Sequence, residues 1–99
     1  MKFRTVYIPA AKDDLKKAIN YYKNISSKLA KDFIARIVEG KNYITQNPYG
    51  DDINYKEIRM HTIRQFPYHI HYLILENINQ ILILAIEFSK RENLDFSTR

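Results

Sequence analysis

The 99-residue chain has no cysteine and no tryptophan, and only two glycines and three prolines. The absence of cysteine excludes disulfides, thiolate metal sites and thiol nucleophiles. No apolar run approaches the roughly 20 residues that a membrane-spanning helix needs. The opening Met1–Ala11 goes straight into strand-like alternation and lacks the apolar core of a signal peptide. Neither an internal repeat, a low-complexity tract nor a linker divides the sequence. A single domain over residues 1–99 is therefore expected, in the cytoplasm and without a membrane partner.

What is present is globular in character. Apolar residues make up 45% and charged residues 27%, values that rule out a chain too polar to build a core. The net charge of +5 favours an anionic partner, such as nucleic acid, an acidic protein segment or a ribosomal surface. Solubility alone is the plainer account of the same excess.

The densest β-branched and aromatic stretch runs from Lys56 to Ser89. Gln65-Phe66-Pro67 interrupts it, because proline cannot donate to a strand ladder. Glu76–Gln80, with its two asparagines, interrupts it again and suits a hairpin loop. Three strands follow: Glu57–Arg64, Tyr68–Leu75 and Gln80–Phe88. Upstream, Lys2–Ile8 alternates as a first strand, and Pro9 suits the first turn of a helix. Ala11, Leu15, Ala18, Ile19 and Tyr22 recur at helical spacing across Ala10–Asn24. After Asn24-Ile25-Ser26-Ser27, where either serine can cap, a second helix spans Lys28–Gln46. Its Gly40 implies close approach to a neighbour, expected to be the first helix, since an interior glycine otherwise costs about 1 kcal/mol. Asn47-Pro48-Tyr49-Gly50 stops that helix, and Asp51–Asn54 reads as a polar link.

The order βααβββ predicts an α+β fold, with a helical hairpin on one face of a four-stranded, mainly antiparallel sheet. The last strand, apolar on both faces, belongs inside the sheet with the first strand beside it. If Arg64–Tyr68 forms the turn, His61 stands opposite His71, and Met60 opposite Tyr72. Arg59, His61, Ile63, His69, His71 and Leu73 then share the face turned away from the helices.

The ordered set of local signals resembles the RelE/ParE superfamily, the toxins of type II toxin–antitoxin modules, also labelled plasmid stabilisation proteins. The resemblance rests on Tyr7-Ile8-Pro9-Ala10-Ala11, Tyr21-Tyr22, Asn47-Pro48-Tyr49-Gly50, Ile58-Arg59, Arg64–Tyr72, Ile83–Ile86, Lys90-Arg91 and Arg99. It covers nearly the whole chain. It implies a basic, growth-inhibiting toxin whose partner is a cognate antitoxin, in a toxin–antitoxin hetero-oligomer. The ParE branch implies a non-catalytic inhibitor of DNA gyrase, whereas the RelE branch implies an endonuclease that cuts mRNA on the ribosome. A third reading is a binding module of the same fold without toxicity.

RNA cleavage needs a base for the 2′-hydroxyl, a cation for the phosphorane and an acid for the leaving oxygen. RelE-like nucleases place a histidine or tyrosine after the last strand, but residues 87–96 contain neither. That omission favours the ParE branch. The residues available to a nuclease are Glu57 as base, Arg59 and Arg64 as phosphate clamps, and His61 or His71 for proton transfer. For partner contact the expected cations are Arg59, Arg64, Lys90, Arg91 and Arg99. His61, His69 and His71 invite a metal reading, but no cysteine or placed carboxylate completes a ligand set, so no metal or cofactor is assigned. The eight tyrosines suit a small core or an antitoxin groove better than base stacking.

Overall fold

The computed structural model describes residues 2–89 and 95–99. The elements are β1 (Arg4–Tyr7), α1 (Pro9–Ile25), α2 (Ser27–Gln46), β2 (Ile53–Tyr55), β3 (Ile58–Thr62), β4 (Tyr68–Leu75) and β5 (Gln80–Phe88), with a 3-10 turn at Glu76–Ile78. They form one sheet of order β1-β5-β4-β3-β2, in which β1 runs parallel to β5 and the other neighbours are antiparallel. The sheet has five strands rather than four. The additional β2 arises because Lys56 and Glu57 both adopt positive φ, 45° and 66°, and close a tight hairpin with Tyr55 opposite Ile58. Such turns are ordinarily marked by Asn-Gly or Asp-Gly, and Lys-Glu carries no such mark.

Proline opens α1 at its first turn, where a missing N–H costs nothing. Ser26 joins the two helices by serving both. Its backbone N–H donates to Tyr22 O at 2.9 Å, and its Oγ accepts from Leu29 N–H at 3.1 Å. The main core lies between the hairpin and the sheet. It combines Ala11, Ala18 and Tyr22 of α1 and Phe33, Ile37 and Ile44 of α2 with Ile70, Tyr72, Ile81, Ile83 and Ile86. Four rings close one end of it: Tyr22, Phe33, Phe66 and Tyr68, with the Tyr22 and Phe66 centroids 4.9 Å apart. This cluster holds the Phe66-Pro67 turn against the helices. Gly40 approaches the sheet rather than α1. A Cβ there would stand 3.1 Å from Ile70 Cδ1 and 3.3 Å from His61 Cδ2.

Two register features decide what each face carries. Between β3 and β4, Met60 pairs with His71, His61 with Ile70 and Arg59 with Tyr72, one residue away from the expected pairing. The closing contact is Ile63 N–H to Tyr68 O, with Gln65 in the left-handed region at φ 73°. A one-residue slip exchanges the faces of paired strands. Arg59 and His61 therefore share the helix-side face with Ile70 and Tyr72, while His71 lies on the opposite face. Between β4 and β5, His71 pairs with Ala85 but Tyr72 pairs with Ile83, leaving Leu84 as a bulge residue. The bulge sends both Leu84 and Ala85 to the opposite face, where they build a second small core with Ile58 and Phe96.

Candidate functional site

β1 pairs with β5 only as far as Tyr7 opposite Ile83. Beyond that point β5 has no strand on its outer side, and α1 overhangs the gap. The resulting groove holds about 560 Å³ and is lined by Asp14, Lys17, Tyr21, Tyr68, Phe88 and Arg99, with Ala18 and Ile86 at its floor. Two backbone groups of β5 are met there by side chains. Ile86 N–H donates to Asp14 Oδ2 at 3.2 Å, and Leu84 O accepts from Arg99 Nη1 at 3.0 Å. Arg99 also pairs with the Asp14 carboxylate and lies 4.7 Å above the Phe96 ring. Tyr21 is 60% exposed at the rim, a large apolar surface left to solvent. Lys12, Lys16, Lys17 and Lys23 are exposed along α1.

A second cluster lies at the far end of the helix-side face, where the loop after α2 folds onto β3 and β4. Asp51 Oδ2 is 3.0 Å from His61 Nδ1 and accepts from the Tyr72 hydroxyl at 3.0 Å. Arg59 donates to the Asp51 carbonyl and sits 5.2 Å above the Tyr49 ring. Tyr43 stacks on His61 at 4.8 Å. Burial pushes the Tyr72 hydroxyl far above its ordinary range, with Asp51 reinforcing the shift. The net effect is to pin the Asn47–Asp52 loop to the sheet.

The third cluster lies on the opposite face. His71 is 2% exposed; its Nε2 is 2.8 Å from Glu87 Oε1 and its Nδ1 is 3.0 Å from the Tyr55 hydroxyl. Phe96 covers the imidazole at 4.8 Å, and its backbone N–H donates to the Tyr55 oxygen at 3.3 Å. Among the described residues Glu87 Oε2 has no hydrogen-bond partner. Burial pushes the His71 pKa down, against the opposing pull of Glu87.

The five residues available to a nuclease do not converge. Arg59 and His61 meet in the Asp51 cluster. Glu57 lies in the β2–β3 turn rather than on a strand beside them. Arg64 is on the β3–β4 turn, held by both carboxylate oxygens of Glu39 at 2.7 and 2.8 Å. His71 is buried on the other face. Of the cations expected to contact a partner, Arg59, Arg64 and Arg99 occupy three separate places, each with an intramolecular partner. Lys90 and Arg91 lie outside the described residues. Asp14, Asp51 and Tyr55 were not foreseen, since each acts on residues remote in sequence. Glu87 did leave a signal, because a carboxylate within an apolar strand must find a partner. No group of three or more His, Cys, Asp or Glu side chains among the described residues could hold a metal ion. No helix among them is long and apolar enough to cross a membrane.

The architecture is that of a toxin–antitoxin protein of known structure. The chromosomal ParDE TA system from P. aeruginosa superimposes with a TM-score of 0.76 at 19% identity, covering 91% of this chain and 98% of that one. The sequence itself matches the family described as ParE toxin of type II toxin-antitoxin system, parDE, over residues 6–92. The chain belongs to the ParE toxin family. No curated protein matches it by sequence.

Proposed function

We propose that this ParE toxin acts by protein–protein contact, with DNA gyrase as its target, and is held silent by a cognate antitoxin in a hetero-oligomer. The observation that carries this reading is the α1/β5 groove. It sets a stretch of strand edge that no neighbouring strand covers, its Ile86 N–H and Leu84 carbonyl held only by the Asp14 and Arg99 side chains, beside aromatic rings, a geometry that accepts an amphipathic peptide. The lysines of α1 and the chain's net charge of +5 favour an acidic segment as the occupant. The neighbour of known structure is itself a ParDE system, which supports an antitoxin as that partner. Growth inhibition and a cytoplasmic site of action follow from this reading.

The test has two arms. The purified chain is added to a gyrase supercoiling assay, and separately to translating ribosomes. Inhibition of supercoiling that is reversed by a short acidic protein encoded beside the toxin gene is the expected result. Codon-positioned mRNA cleavage would replace this reading with the RelE-like endonuclease, for which Arg59 and His61 beside Asp51 are the residues to examine. Normal growth when the chain is expressed alone would leave a non-toxic binding module.

A further inference from the structure

We propose that His71, Tyr55 and Glu87 form a proton-sensitive clasp that holds the segment around Phe96 against the sheet. The geometry is satisfied by one arrangement of protons. Neutral His71 donates Nε2–H to Glu87 Oε1, and its Nδ1 lone pair accepts the Tyr55 O–H. The Tyr55 oxygen is then free to accept Phe96 N–H, and the Phe96 ring seals the imidazole from water. A proton added to Nδ1 sets an N–H against the Tyr55 O–H, so that one of the two donors loses its acceptor. An unsatisfied donor in a buried site costs its full desolvation penalty, more than the net worth of the bond that is lost.

The charged and titratable groups facing the imidazole are Glu87 from β5, His69 from β4, Tyr55 from β2 and Arg99 beyond Phe96. Met60, paired with His71 on β3, is uncharged. Among the described residues Glu87 is the one group that favours the imidazolium, while His69 and Arg99 oppose it. Burial opposes it as well and outweighs Glu87, in keeping with the neutral form in the closed clasp. Opening releases Phe96 and, with it, the ring beneath Arg99. Arg99 would keep Asp14 and the Leu84 carbonyl but lose its ring support at the α1/β5 groove, and the effect of that on binding rests on reading the groove as the docking site. The clasp does not depend on that reading.

The experiment uses the isolated chain and reads two quantities by NMR. The first is the tautomer and titration midpoint of His71 from its ring nitrogens. The second is hydrogen-exchange protection of the Phe96 amide, corrected for the intrinsic pH dependence. The sign follows from linkage. His71 in the opened segment takes up its proton near the ordinary value of about 6.5, while in the closed clasp it stays neutral to lower pH. Protection at Phe96 is therefore expected to fall about tenfold between about pH 7.5 and 5.5, with Ile70 in the main core unchanged. Glu87→Gln keeps an acceptor for Nε2–H but removes the negative charge, so the His71 midpoint moves lower. Tyr55→Phe leaves Phe96 weakly protected at every pH. A pH-independent Phe96 amide, a proton resident on Nδ1, or a His71 midpoint at or above the ordinary value would each overturn the clasp. If only the link to the groove fails, antitoxin affinity will not follow the exchange profile.

Discussion

Asp14 stands 72 residues before Ile86 in the chain, yet its Oδ2 accepts the Ile86 amide at 3.2 Å. The contact gives β5 an acceptor where β1 has run out, and the same carboxylate neutralises Arg99. The groove above it is thus bounded by side chains that already complete the sheet edge.

Asp14→Ala removes both functions at a largely buried site. The expected loss is about 1–3 kcal/mol of folding stability, the cost of an orphaned donor. Asp14→Asn keeps an oxygen for Ile86 and should lose less than about 1 kcal/mol. Urea unfolding of the two variants measures the difference.

Tyr21 meets the edge of Tyr22 at a centroid distance of 5.1 Å and is mostly exposed. Tyr21→Glu should change stability by no more than about 0.5 kcal/mol. It should weaken antitoxin binding at least about tenfold, because a charge replaces an aromatic anchor and repels an acidic segment. Calorimetric titration and urea unfolding of the same preparation separate the two effects.

Gly40→Ala sets two contributions against each other. Helix propensity gains about 1 kcal/mol, whereas overpacking costs about 1–3 kcal/mol. The new Cβ would meet Ile70, which is fully buried, and His61, which is clamped between Asp51 and Tyr43. Little relaxation is available, so a net loss of about 1 kcal/mol is expected in thermal or urea unfolding.

At alkaline pH two tyrosines should resist ionisation. Burial pushes Tyr7 up to about 12 and Tyr72 still higher. The folded state favours the protonated phenols. Stability is therefore whole below the ordinary tyrosine pKa of about 10 and falls as the pH rises above it. Absorbance at the phenolate band should show these two ionising only with unfolding; Tyr72→Phe should remove part of that coupled step.

At acid pH the Arg64 pair holds the Glu39 carboxyl down at about 2. Its contribution is present above the ordinary glutamate range and is lost as the pH falls through that lower value. The pair is on the surface, so raised salt should flatten the dependence in urea unfolding, and Arg64→Ala should weaken it, leaving the smaller share that Arg36 supplies through Glu39 Oε2 at 3.0 Å.

The family and most of the fold were legible from local patterns. Pro9, Ser26 and the spacing of Ala11, Ala18 and Tyr22 announce the two helices. The apolar density of Ile81–Ile86 places β5 inside the sheet. Polar pairs such as Arg64 with Glu39, or Asp51 with His61, were not legible, since each joins groups that only the folded chain brings together. β2 escaped notice because a three-residue strand on an exposed edge needs little hydrophobicity, and its Lys56-Glu57 turn lacks a glycine.

Composition and periodicity determined the two helices and four of the five strands, and their order, because those depend on neighbours one to four residues apart. Only tertiary structure decided that Arg59 and His61 turn toward the helices while His71 turns away. β3 and the residue after it offered an isoleucine to each face, Ile58 to one and Ile63 to the other, so alternation alone could not rank them. The geometry of the Ile63–Tyr68 turn made the choice, and a single step in register reassigns every side chain on the strand.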